Sequence, residues 1–379
     1  MAHLESGIKS ITVPFSVWNS GITGVSGGLS KGDTLTITGR DFGTGPAFEN
    51  CLYDSCDGVG TRTVNDAEIG AMTNVENSLS GSPYVSGARD SGNCIRGLVY
   101  DTAVNNTEVV RSAVSFTNSQ KVYFSYWYKQ MPDTFWPDAN AGARNSFGTS
   151  GSSAKIAWLA YSDATYNFTA NNDVIVASHA NTSGWSIRGN DTGITIGTTA
   201  EMQDWWRFGE WMRITGYFEV DPTDPINNDG RCFVEFITAS KAANAVTSLD
   251  VPFTMSKTNG NNSPNFWNGL SLFGWYEGGD LTSIGGTAEG DVDHRMDDIY
   301  LAWGDSCAAT VEIGNNADYD LCTERTLCYA EGPNWWNDSE IKVKVEVGGL
   351  DFNSPLFLFI RHDNGYRKMS FPLSTLQGL

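Results

Sequence analysis

The sequence predicts an all-β protein in which one sandwich is inserted within another. Three observations predict it. Runs of strand length recur along the chain with apolar and polar residues alternating, the period of a pleated strand. Gly, Asn, Ser and Thr separate these runs, 41 glycines and 13 tryptophans are present among 379 residues, and no long amphipathic helix pattern is visible. Short alternating runs near the two ends of the chain look like the halves of one small sheet.

In chain order, residues 1–20 hold a short apolar run, Ile8 to Val17, broken by Pro14. It is read as an edge strand or as an arm that docks on a neighbouring subunit. Leu35 and Ile37 then alternate with Thr34, Thr36 and Thr38 between Gly-rich turns. Residues 46–115 are rich in Gly, Asn, Ser and Asp and carry only short apolar runs. Candidate strands follow at 122–129, 155–161, 173–178, 183–188, 211–220, 231–238, 269–276 and 296–303. Strands so spaced, with polar loops between them, fit a two-sheet jelly-roll sandwich. The most regular is WMRITGYFEV, residues 211–220, where Met212, Ile214, Phe218 and Val220 alternate with Arg213, Thr215, Tyr217 and Glu219. One face is expected to be core and the other wet.

Past residue 308 the runs ATVEIG, EIKVKVEV and PLFLFIRH supply further strands. An immunoglobulin-like sandwich needs about seven strands, more than residues 21–45 provide. The expectation is therefore an arm at 1–20, a discontinuous immunoglobulin-like β-sandwich from 21–45 and 308–373, and the jelly roll at 46–307. Two separate small β units flanking the middle are the alternative.

Two resemblances bear on this. Lys31, Gly32 and Asp33, followed by Ile37, Thr38, Gly39, Phe42 and Gly43, resemble the opening of an IPT/TIG immunoglobulin-like domain over roughly 25 residues. The strand Tyr126 to Lys129, the run Arg144 to Leu159, Gly209 to Ile214 and Asp297 to Trp303 resemble the concanavalin A-like lectin/glucanase jelly roll, including its polysaccharide-lyase-like members. The second resemblance implies a concave sheet that holds a glycan. On register alone, Trp127, Lys155, Arg213, Tyr217, Glu219 and Glu235 are expected to share that face. Trp127 and Tyr217 are also reasonable packing residues.

Of the lyase residues the resemblance implies, Tyr217 and Arg213 stand for the tyrosine and the basic residue, but His179, His294 and His362 sit in no matching motif. No E-x-D-x-x-E run and no Gln-x-His strand occur, four scattered histidines offer no evident serine-nucleophile triad, and Glu219 and Glu235 of the central strands are a carboxylate pair expected to lie near each other. Asp291, Asp293, Asp297 and Asp298 crowd one strand start, which suits a structural calcium ion or a solvated strand edge.

A formal charge of -20, with no basic stripe to displace counterions, argues against binding to nucleic-acid phosphates. No apolar stretch approaches the ~20 residues needed to cross a bilayer, and the start MAHLESGIKS has no Sec-type signal pattern. Cys51 with Cys56, and Cys322 with Cys328, are close enough for short-loop disulfides, although an odd total of seven leaves one over. Trp335 and Trp336 are expected to plug the junction between the two bodies.

The reading that unites these points is a non-enzymatic phage virion structural or adhesion protein, a decoration, fibre or tail component, whose jelly-roll head binds a cell-surface glycan or a partner protein. Its expected partners are polysaccharide and other virion or surface subunits, including copies of itself. A secreted polysaccharide-degrading lyase or glycoside hydrolase, or its binding module, is the alternative, with an extracellular location. A purely structural oligomer subunit is the third reading.

Overall fold

The computed structural model describes residues 21–77, 83–90, 92–99, 110–130, 153–160, 174–179, 184–189, 195–196, 209–220, 230–238, 246–253, 266–277, 292–362 and 368–377, part of them by backbone alone. The expected arm at 1–20 lies outside the described residues.

In chain order the strands begin with β1 (Ile22–Gly27), β2 (Thr34–Gly39), β3 (Cys51–Asp54), β4 (Asn74–Asn77), β5 (Tyr84–Ser86), β6 (Asn93–Val99) and β7 (Val110–Ser119). The middle adds β8 (Lys121–Gln130), β9 (Ser153–Ala160), β10 (Val174–His179), β11 (Gly184–Gly189), β12 (Thr195–Ile196) and β13 (Met212–Glu219). It continues with β14 (Gly230–Thr238), β15 (Val246–Phe253), β16 (Trp267–Glu277) and β17 (Val292–Trp303). The last part supplies β18 (Thr310–Gly314), β19 (Arg325–Ala330), β20 (Glu340–Lys344), β21 (Phe357–Arg361) and β22 (Lys368–Pro372), then one helical turn, α1 (Ser374–Gln377). The protein is all-β, as its alternating runs predict.

Among the described residues these strands form three antiparallel sheets. The first runs β15-β14-β13-β8-β17-β6-β5, with β3 pairing the second half of β17; the second runs β12-β11-β10-β9-β16-β7-β4. They face one another as a jelly-roll sandwich. Ile214 and Phe218 of β13 and Phe124 and Tyr126 of β8 pack there on Leu159, Trp267, Leu270 and Leu272. Gly216 is needed in the middle of β13, because a Cβ there would stand 2.6 Å from the Phe124 ring on the neighbouring strand. A larger residue would drive apart the two strands at the centre of the sheet.

The third sheet runs β1-β2-β20-β19-β18-β21-β22 and draws on both ends of the described chain. β2 pairs with β20, placing Leu35 opposite Val343. β19 pairs with β18 through residues up to Cys328 and with β20 through Tyr329 and Ala330, so it passes from one half of the sheet to the other. The core of this body is continuous with the outer face of the first sheet. Leu35, Ile37, Val311, Ile313 and Val343 share one cluster with Tyr53, Tyr123, Tyr217 and Tyr300. The first sheet is thus covered on both faces.

Two expectations change here. Residues 46–115, read as nearly strandless, contribute β3 to β6 and part of β7. Their apolar residues are too few and too scattered to show a period, and tertiary pairing supplies what local pattern does not. The proposed short disulfides are absent. All seven cysteines are free thiols and buried, lying on or beside strands that hold the members of each sequence pair apart, with Cys322 and Cys328 in different clusters.

Candidate functional site

The outer face of the first sheet carries the residues expected to meet a glycan. Pairing of β13 with β8 and β14 sets Arg213 opposite Trp127, Thr215 opposite Ser125 and Glu235, and Tyr217 opposite Tyr123. Trp127, Arg213, Tyr217 and Glu235 therefore share a face as their register predicts. That face is not open. Arg213 is 1 % exposed, Glu235 and Trp127 2 % and Tyr217 5 %, because the second body packs on Arg213, Glu235 and Tyr217 and Arg89 lies over Trp127.

What covers them is charge matched to charge. Arg213 donates Nη1 to Glu312 Oε2 of β18 at 2.5 Å and Nε to Ser125 Oγ at 2.8 Å. Arg325 of β19 donates Nη2 to Glu235 Oε1 and Nη1 to the Tyr319 carbonyl, and its guanidinium lies 3.6 Å over the Tyr319 ring. Tyr319 donates its hydroxyl hydrogen to Glu312 Oε1 at 3.0 Å, and Arg361 of β21 reaches the Tyr319 oxygen at 3.3 Å. Burial alone would raise the Glu312 carboxyl; the guanidiniums of Arg213 and Arg325 outweigh it and hold it down at about 2. Three arginines and two glutamates from opposite bodies thus form one buried network, and leaving any one charge alone there is costly.

The remaining expected residues fall elsewhere. Glu219 stands at the far end of β13 opposite Arg231, half-exposed, accepting from Tyr217 at 2.9 Å. It lies four residues along the strand from the Thr215–Glu235 pair, a separation of about 13 Å at ~3.3 Å per residue. A glycosidase pair needs roughly 5 to 9.5 Å. Lys155 is on β9, which belongs to the second sheet and not to the first. The alternation that grouped them is correct within each strand and says nothing about which sheet a strand joins.

The expected calcium carboxylates also have another use. Asp297 and Asp298 sit at a bulge in β17 where the register with β8 shifts, and Asp298 has φ 49. Asp298 Oδ2 accepts from Arg89 Nη1 at 2.5 Å and Asp297 Oδ2 from the Arg89 backbone N–H at 2.9 Å. A guanidinium occupies the place expected for the cation. Arg89 also lies 3.6 Å over the Trp127 ring, pairs with Glu324, and packs on Gly348, where a Cβ would come within 2.6 Å of it. Asp291 and the Asp293 side chain lie outside the described residues; among those described, no group of three or more His, Cys, Asp or Glu side chains is arranged to hold a metal.

Trp335 and Trp336 are buried edge to face at 5.2 Å. Their indole N–H groups donate to the carbonyls of Pro46 and Phe42, where the chain leaves β2 for β3.

The second sheet has its own arrangement. Ala157 and Leu159 of β9 face the sandwich core. At the intervening positions Trp158 pairs with Ile175 and Ser271, and Ile175 in turn with Arg188. Register shifts on both sides of Ile156 bring Lys155 into the same set, opposite Ala177 and Trp275. Ser153 completes it, flanked by His179 and Glu277. Apart from Lys155, none of these was singled out from sequence for a glycan face; the signal available was a tryptophan and a basic residue within each of β9 and β11, the strands on either side of β10.

No protein-family model matches the sequence, and no curated protein is similar to it in sequence. Among solved structures the chain is similar to the alginate lyase Aly36B, with 11 % identity and a TM-score of 0.44 over 68 % of this chain and 98 % of that one. It is similar to the alginate lyase vAL-1 from Chlorella virus at 11 % identity and a TM-score of 0.39, over 61 % and 93 %. Cellulose induced protein Cip1 follows at 10 % identity and a TM-score of 0.32, over 69 % and 95 %.

Proposed function

We propose that the protein binds polysaccharide on the second sheet of the jelly roll, with the smaller body as a scaffold locked onto the first. Residues 21–45 and 308–373 are taken as an immunoglobulin-like unit around the insert 46–307, in a virion or extracellular surface protein. The observation that carries this reading is the register of β11, β10, β9 and β16. It sets Arg188, Trp158, Lys155, Trp275 and His179 at neighbouring positions on adjacent strands. Indole faces suit the C–H faces of sugar rings, and flanking cationic groups orient hydroxyls or carboxylates. Among the described residues the first sheet offers no equivalent, since the polar face of its central strands is packed against the second body.

Affinity electrophoresis through gels cast with neutral or anionic polysaccharides tests it. Wild type is retarded by at least one polymer; Trp158→Ala with Trp275→Ala, or Lys155→Ala, binds about tenfold more weakly with an unchanged unfolding midpoint. Equal retardation of the variants, or none of the wild type by any polymer, overturns the proposal.

A second reading, degradation of the bound polymer, is favoured by the row His179, Ser153 and Glu277 on three adjacent strands. General acid and base work needs titratable groups within such reach. Release of reducing ends or unsaturated product, lost in His179→Ala, separates turnover from binding alone.

A further inference from the structure

We propose that Asp298, Tyr53 and Glu346 share a proton across the junction between the two bodies, and that this proton clamps them together in a pH-dependent way. Tyr53 of β3 is fully buried, its ring stacked on Tyr329 of β19 at 4.2 Å and 9°. Its hydroxyl oxygen stands 3.1 Å from Asp298 Oδ1 and 3.1 Å from Glu346 Oε2. A phenol carries one hydrogen and can satisfy one acceptor fully. Two ionised carboxylates would leave the other contact as oxygen lone pair against oxygen lone pair in a buried site, so the second carboxyl has to bring its own hydrogen.

The surrounding bonds say which oxygens are free to do so. Asp298 Oδ2 is held by Arg89, and Glu346 Oε1 accepts from the Val347 N–H at 2.9 Å and faces Lys31 Nζ at 3.2 Å. On each carboxyl the oxygen turned to Tyr53 is the one not facing a cation. Lys31 is divided among Glu346, Asp57 and Asp90, whereas Asp298 has a 2.5 Å bond to Arg89. The proton therefore resides on Glu346 Oε2, which donates to Tyr53 while Tyr53 donates to Asp298.

Every element packed here contributes charge. Asp297 and Asp298 come from β17, Arg89 and Asp90 from the loop before β6, Asp57 from the segment after β3, Lys31 from the β1–β2 turn, Glu324 from the approach to β19, and Glu346 from the segment after β20. Glu68 stands behind Tyr53, bound to Ser55. Two cations thus meet six carboxylates before Glu68 is counted, and holding a proton relieves that excess. Burial, and then the neighbouring Asp298 charge, push the Glu346 carboxyl above its ordinary value, and burial pushes Asp298 up against the opposing pull of Arg89. A raised carboxyl stabilises the folded state fully below its unfolded pKa, and that stability is lost as pH rises through the folded value.

The test is the unfolding equilibrium of the full chain between about pH 5 and pH 8, in wild type and Glu346→Gln. The Gln amide has its own N–H to give Tyr53 at any pH. Wild type loses up to about tenfold in folding constant per pH unit over part of this range, one proton's worth, and Glu346→Gln shows a correspondingly flatter profile. Parallel profiles, or a wild type that gains relative to the variant as pH rises, overturn the proposal. Should Glu346→Gln fail to fold, infrared spectroscopy of the wild type and Tyr53→Phe decides: a protonated carboxyl band at neutral pH that disappears at alkaline pH and changes in Tyr53→Phe supports the clamp, and no band, or one identical in the two proteins, overturns it.

Discussion

The two faces of β13 differ in chemistry and agree in burial. One presents Met212, Ile214 and Phe218 to a dry sandwich core; the other presents Arg213, Thr215 and Tyr217, and all of these are buried to within 5 %. A polar stripe on a strand therefore identifies a partner without saying that the partner is water. Here it is a second body of the same chain, whose β18, β19 and β21 carry complementary charge. The apolar face is held by area and packing, which tolerate small adjustments. The polar face is held by geometry, which does not.

The largest effects should come from emptying each face in turn. Phe218→Ala is expected to cost about 3 to 5 kcal/mol in unfolding free energy by chemical denaturation. Arg213→Ala is expected to cost a similar ~3 to 5 kcal/mol, because it strands Glu312 without its guanidinium. Replacing both partners, Arg213→Met with Glu312→Leu, should restore only part of that loss, because Tyr319 and Arg325 also face Glu312. A cost below about 1 kcal/mol for Arg213→Ala would mean that this face is far wetter than its coverage implies.

Acid sharpens the comparison next. Glu312 is held below its ordinary value, so its contribution is complete above the usual carboxylate range and disappears as pH falls toward about 2. Wild type should lose stability on acidification, and Glu312→Gln should start lower and fall less steeply. The Asp298–Tyr53–Glu346 contact has the opposite sign, so the two halves of one junction weaken at opposite ends of the pH scale. Thiol titration follows: the seven buried cysteines should be unreactive toward an aromatic disulfide reagent in the native state and all react in denaturant. Burial raises Cys51 to about 12, which slows attack further. Smallest of all, Lys342→Ala, which removes an exposed pair with Glu340 at 3.0 Å, should change stability by less than about 1 kcal/mol.

These contrasts also mark what the sequence makes legible. Strand β13 and its neighbours are readable because Met212, Ile214 and Phe218 on β13, and Cys232 and Val234 on β14, recur at even spacings between turn residues. The pairing of Leu35 with Val343 is suggested by matching patterns at the two ends. The junction is not readable in that way. Glu312 lies 99 residues from Arg213, and Arg325 lies 90 from Glu235, distances over which no local period operates. A weaker signal was present: Glu312 within TVEIG and Arg361 within FLFIR are charges set in short runs of otherwise buried strand, where an unpaired ion would not be kept. Arg89 gave none, standing in a Gly-rich loop whose carboxylate partners lie more than 200 residues on.

The register of β2 against β20 has a consequence for how the molecule is made. Leu35 leaves the ribosome roughly 300 residues before Val343 does, and at ~5 to 20 residues per second that is a wait on the order of 15 to 60 seconds. Throughout that interval the first hairpin has a bare edge and no sheet to join, while the inserted sandwich is already being synthesised. This hairpin therefore waits for a partner strand made long after it, and a nascent polypeptide interrupted before β20 carries an adhesive ribbon that the finished protein never shows.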